Sequence, residues 1–322
     1  MGYGYRVYRF SATVRRTRSK VDLAQTSGDA YIRTLPTVVE SLTSSGVLYD
    51  KPNYLALLDE MPDPEQGMQA MRVREVTASG NRVSCEISHG TRGAHEDLLS
   101  DDVDEEIDNK AASRRYRFDF YFPQDGDTGI LVAEANGGTC PVDLLLRWIA
   151  RRHAEILGDI DGSWVKLQVE QIADHDYLLG LIRNSTKTQV RLIQTEQTAR
   201  RKRTSRDRVL TINEISETQS YALAEEILHW ARQDSDTAGA IRRTMRLLGL
   251  NRDKLREANM TFNLPEVRVE APSGTKVIAP GQIQELFTYP LGDRRPRPDT
   301  WRSATRDRAH GLSVMERIPV EF

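Results

Sequence analysis

Cysteine is almost absent from this chain, with only Cys85 and Cys140 among 322 residues. Two thiols cannot build a disulfide framework or a four-cysteine metal cage, so a reducing, cytoplasmic setting is the expectation. Long apolar runs are missing too. No stretch of about 18 apolar residues occurs, so no membrane-spanning helix is expected. The first residues carry arginines with no apolar block behind them, so no secretory leader is expected. Neither sign of charge dominates: 45 Lys and Arg face 47 Asp and Glu, so net charge alone points to no polyanionic partner.

Several motifs are also lacking. His89, His95, His153, His175, His229 and His310 are dispersed, and no HExxH or CxxC spacing occurs, so a zinc site is not expected. GxxxxGK[ST] and GxGxxG are absent, which removes the common phosphate-binding loops. GxSxG is absent as well, so Cys140 reads as a core or turn residue in a chain without a nucleophile elbow. No zinc finger, basic zipper or RNA-binding aromatic motif is visible. The composition, 29% charged and 39% hydrophobic, is that of a globular chain long enough for two domains.

What is present centres on residues 117–150. Phe118, Phe120 and Phe122 alternate with Asp119 and Tyr121, the period-two pattern of a half-buried strand. Asp125-Gly126-Asp127 marks a reversal, Ile130–Ala135 reads as the returning strand, and Gly137-Gly138 breaks it. Pro141 suits a helix start, and Val142, Leu145, Leu146 and Ile149 recur at helical spacing. Around this unit, Tyr3–Val14 reads as a strand and 35–42 as a short helix. Val47–Tyr49 and Tyr54–Leu58 read as paired strands, and Met71–Thr77 with Arg82–Ser88 as a hairpin about Ser79-Gly80-Asn81. Downstream, strands are expected over 164–172, 177–183, 188–195, 209–212, 259–264 and 267–271. Helices are expected over 217–233 and 237–249. The resulting fold class is α+β, two-lobed, with mostly antiparallel sheets and packed helices. The lobes are placed at 1–158 and 159–291, with interleaving in sequence left open. The Arg- and Pro-rich residues 292–322 are expected to form an irregular or loosely docked tail.

Charge is segregated along the chain. Asp59, Glu60, Asp63 and Glu65, then Asp101, Asp102, Asp104, Glu105, Glu106 and Asp108, form acidic stretches that read as solvated loops. Three basic clusters answer them: Arg15, Arg16, Arg18 and Lys20; Arg200, Arg201, Lys202, Arg203, Arg206 and Arg208; and Arg242, Arg243 and Arg246. Guanidinium groups in such number suit phosphate oxygens, and they point to a double-stranded DNA backbone rather than to base edges. Any one cluster also reads as a plain solvated face. A second reading takes Asp119 and Glu134, on consecutive strands, as the metal-binding pair of a Mg²⁺-dependent nuclease. The lysine that commonly follows such a glutamate by two positions is Asn136 here. A third reading is an assembly protein whose acidic and basic faces bind other proteins.

Three short stretches resemble the RexA-like phage-exclusion proteins of temperate phages and actinobacterial prophages. They are Tyr3-Gly4-Tyr5-Arg6-Val7-Tyr8-Arg9-Phe10; Gly126-Asp127-Thr128-Gly129-Ile130 with Pro141-Val142-Asp143-Leu144-Leu145; and Met245–Gly249 running to Leu264–Val269. The resemblance implies a bilobed homodimer that binds double-stranded DNA without sequence preference. It implies a sensor in abortive infection, working beside a membrane-protein partner of the RexB type, with no catalysis and no cofactor. It transfers no contact residue, so the candidate DNA-binding residues rest on local charge.

Overall fold

The alternation at Phe118 and Phe120 places both rings on one face of a central strand and Asp119 on the other. In the computed structural model this strand, β7 (Ala111–Tyr121), turns through Gly126 into β8 (Thr128–Asn136). The described residues are 2–14, 17–24, 31–50, 68–92, 97–98, 105–106, 111–157, 164–194, 208–213, 217–232, 237–251, 253, 255, 262, 264–271, 274–280 and 286–322. The chain divides into two compact units, 1–172 with 289–322, and 173–288. The second unit is thus an insertion in the sequence of the first, and residues 289–322 belong to the first unit.

The first unit adds β1 (Tyr3–Val14), β2 (Leu48–Asp50), β3 (Gln69–Ser79), β4 (Arg82–Arg92), β9 (Val165–Gln171) and β14 (Tyr289–Gly292) to one antiparallel sheet. The strand order is β14-β1-β8-β7-β4-β3-β2, with β9 also paired to β1. A separate small pair joins β5 (Asp97–Leu98) to β6 (Glu105–Glu106). The expected hairpin is present as β3 and β4, with Gly80 at φ 58° in its turn. On one face, Tyr8, Phe10, Phe118, Phe120 and Leu131 pack against α1 (Tyr31–Thr43) and α2 (Val142–Leu157). Full burial of each such side chain contributes about 1.5–3 kcal/mol. Gly129 lies at the tightest point: a Cβ there would sit 2.5 Å from Cε1 of Phe10 and 2.6 Å from the Tyr121 carbonyl.

The opposite face of the sheet is covered by α6 (Pro298–Met315), which buries Trp301, Thr305, Ala309, Leu312 and Ser313. The expectation of an irregular tail is therefore corrected. Pro298 starts a helix, where a missing N–H costs nothing. The apolar side chains then recur at helical spacing, although arginines dominate the composition. Tyr5 contacts both Tyr289 and Trp301, with ring centroids 5.1 and 6.0 Å apart.

In the second unit the four-stranded sheet runs β11-β10-β12-β13, from β10 (Lys187–Gln194), β11 (Arg208–Ile212), β12 (Leu264–Ala271) and β13 (Gly274–Ile278). Three helices complete the unit: α3 (His175–Arg183), α4 (Glu217–Arg232) and α5 (Thr237–Leu247). The strand expected over 177–183 is a helix. Asp174 caps it by accepting from the Tyr177 N–H at 3.0 Å, and Leu178, Leu179 and Ile182 are its buried residues. The expected 54–58 strand and most of 259–263 lie outside the described residues, as do the acidic residues 59–65, 101, 102, 104 and 108. Pro265 lies inside β12 rather than between two strands. Antiparallel pairing dominates both sheets, so the α+β class stands. Among the described residues, no helix is long and apolar enough to cross a membrane.

Candidate nucleic-acid interface

Residues 237–249 meet the requirements of an amphipathic helix that ends sharply. Gly239, Ala240, Ile241, Thr244 and Met245 are buried in α5. Gly249 adopts φ 67° beyond its end, and the Leu250 N–H reaches the Met245 carbonyl at 2.9 Å. That is a Schellman stop, which needs a residue free to enter the left-handed region. The helix's rotation is set by one side chain of the basic cluster itself. Arg243 Nε donates to both carboxylate oxygens of Glu226 on α4, each at 3.0 Å. Glu226 is 8% exposed and also accepts from Trp230 Nε1 at 2.6 Å. With Arg243 drawn inward, Arg242 and Arg246 stand exposed on the outer side. Residues four apart on a helix lie about 5–6 Å from each other at Cβ, so two cationic side chains project from neighbouring positions on this exposed side.

The other candidates fall in different places. Arg18 is exposed at φ 54°, in the loop closed by the Thr13–Lys20 bridge. Lys20 is engaged with Asp127 at 2.9 Å. This lysine's hydrogen bond, aided by Thr128, pulls the Asp127 carboxyl below its ordinary value. Lys20 and Arg243 are therefore corrected from free cations to members of ion pairs. Arg208 takes part in β11 opposite Gln194. Arg15, Arg16, Arg200, Arg201, Lys202, Arg203 and Arg206 lie outside the described residues. Arg18 belongs to the first unit and α5 to the second.

Asp119 and Glu134 do not form an open metal pair. They are 4% and 0% exposed, on central strands. Asp119 Oδ2 accepts from Trp301 Nε1 at 2.7 Å, and its Oδ1 accepts from the Ser84 hydroxyl. Glu134 receives Arg295 through Nε at 3.0 Å and Nη2 at 2.9 Å, and its Oε2 accepts the Arg117 backbone N–H at 2.9 Å. Arg295 also reaches Glu86 at 2.9 Å, and Arg117 Nη1 donates to the Pro296 carbonyl at 2.8 Å. Burial opposes the charge on Arg295, but its bonds to Glu134 and Glu86 outweigh that and hold its pKa above the ordinary value. For Arg117, burial and the neighbouring Arg295 charge win instead, and its pKa falls. Every oxygen of the two carboxylates is committed to a protein donor, so the pair fixes the 294–301 segment to the sheet. Among the described residues, no group of three or more His, Cys, Asp or Glu side chains is arranged to hold a metal ion.

Sequence reasoning missed the partners of this pair. Trp301 and Arg295 lie in the segment read as tail, and no local pattern connects them to Asp119 and Glu134. Comparison with protein-family models, with curated proteins and with solved structures gave no match.

Proposed function

We propose that this protein binds double-stranded DNA through its phosphate backbone, without reading base sequence. The observation that carries this reading is the outward pair Arg242 and Arg246 on α5, with Arg243 between them turned inward onto Glu226. Exposed guanidinium groups on a helix clamped by a half-buried ion pair supply charge at fixed positions. Such contacts give affinity and register but no base discrimination. The resemblance to the RexA-like proteins extends the proposal to a cytoplasmic sensor in phage exclusion, acting as a homodimer without catalysis or cofactor, beside a membrane-protein partner of the RexB type. Against the nuclease alternative stand the filled oxygens of Asp119 and Glu134.

A retardation assay at two salt concentrations, with and without Mg²⁺, tests the proposal. Retention of scrambled duplexes at low salt, release at high salt and intact DNA are the expected results. No retention at low salt, with salt-dependent self-association instead, would make the protein-interaction reading the better one. Cleavage abolished by Asp119→Ala would restore the nuclease.

A further inference from the structure

The strand register of the first unit assembles a second basic surface from arginines that lie far apart in the sequence. Arg72 on β3 pairs with Ser88 on β4, and Ser88 pairs with Arg115 on β7, so all three share one face. Arg74, beside the bulge of β3, donates from Nε to the Ser88 hydroxyl at 2.9 Å and joins them there. Arg72 and Arg74 are exposed, and the Arg115 side chain is 63% exposed. This is the face that α6 covers farther along, where Asp119 holds Trp301. Arg295, bonded to Glu86 on β4, brings the exposed Arg294 and Arg297 to its border.

The acids on this face are largely occupied. Glu86 meets Arg115 at 3.4 Å, Arg117 at 3.9 Å and Arg295 at 2.9 Å. Glu134 is taken by Arg295. Glu75, opposite Glu86, is the exposed carboxylate of the patch, and Asp293 and Asp299 flank the border arginines. Strands lie about 4.8 Å apart, so Arg72 and Arg115 stand about 10 Å from each other across β4. Protein partners are anchored by Trp and Tyr as well as by Arg. Among the described residues, none of the exposed large apolar side chains lies on β3, β4 or β7.

We propose that this sheet face, centred on Arg72, Arg74 and Arg115, is a phosphate-contacting surface for duplex DNA. It rests on the reading that the chain binds duplex DNA, and it assigns to the first unit contacts separate from those of α5. The test is fluorescence anisotropy with a duplex of about 30 base pairs over a salt series, comparing wild type, R72A/R74A/R115A and R72K/R74K/R115K. Each lost phosphate contact lowers the steepness of log K against log salt by about 0.9. The alanine variant is expected to bind at least tenfold more weakly at low salt, with the slope reduced by about 2–3. The lysine variant, which keeps the charge, is expected to keep the slope. Wild-type binding with an unchanged alanine variant overturns this surface alone. Absence of wild-type binding overturns both this surface and the reading beneath it.

Discussion

Trp301 donates its indole N–H to Asp119 at 2.7 Å, closing a contact between residues 182 apart in sequence. Both partners are buried, at 2% and 4% exposure. The contact explains why an acidic residue occupies a central strand: it is the acceptor that lets a large aromatic side chain with a polar edge pack beneath α6. Trp301→Phe is expected to cost about 1–3 kcal/mol, because the aromatic packing survives while Asp119 Oδ2 loses its donor. Trp301→Ala is expected to cost about 3–5 kcal/mol. Chemical denaturation with both variants checks the order.

Arg295 and Glu134 supply the second expectation. Arg295→Ala would strand a carboxylate that is 0% exposed, at a cost of about 3–5 kcal/mol. Glu134→Gln in that background should recover part of the loss, since the buried charge is then gone. A double-mutant cycle by denaturant unfolding measures the coupling. An additive cycle would contradict the clamp described here.

Glu226 carries the same logic in the second unit, where it accepts from Arg243 and Trp230. Glu226→Ala is expected to destabilise that unit by about 2–3 kcal/mol. It should also weaken DNA binding, because α5 loses the contact that sets its rotation. Arg242→Ala is expected to weaken DNA binding without a change in unfolding midpoint, which separates the two roles.

The fourth expectation concerns pH. His153 is 1% exposed, its Nδ1 accepts the Val165 N–H at 3.2 Å, and burial pushes its pKa below the ordinary 6.5. A histidine lowered on folding binds its proton more weakly in the folded state than in the unfolded one. Its contribution is therefore fully present above 6.5 and is lost as pH falls from there toward the folded pKa. His89 is shifted in the same direction by burial. Melting temperature is expected to fall on acidification below 6.5, and His153→Gln is expected to flatten that dependence. A thermal melt series from pH 5 to 8 reads both.

Much of the architecture was legible in residue patterns. The hairpin of β3 and β4 follows from alternation about Ser79-Gly80-Asn81. The inward and outward faces of α5 follow from Ile241 and Met245 set against Arg242 and Arg246, but Arg243, which the same pattern puts outward, turns onto Glu226. The misreadings have definite causes. Over 177–183, Tyr177 and Ile182 suggest a strand, yet Asp174 is a helix cap, and Leu178, Leu179 and Ile182 suit helical spacing as well. In 292–322 the arginines and prolines obscured Trp301, Thr305, Ala309 and Leu312, which fall on one helix face. Asp119 and Glu134 stood out as unusual, but the metal-pair reading could not anticipate their protein donors. Their donors come from the other end of the chain, and pairings across such distances leave no local signature. The row of Arg72, Ser88 and Arg115 depends on strand register, which single-strand patterns do not specify.

The proposed contact with duplex phosphates runs through the outward arginines of α5 and reads no base sequence. The most direct test is the salt dependence of binding for wild type and R242E/R246E on two duplexes of unrelated sequence. Log K for the wild type should fall linearly with log salt by the same slope on both duplexes, and the charge-reversed variant should bind more weakly with a shallower slope. A slope near zero, strong preference for one duplex, or full binding by R242E/R246E would rule this contact out.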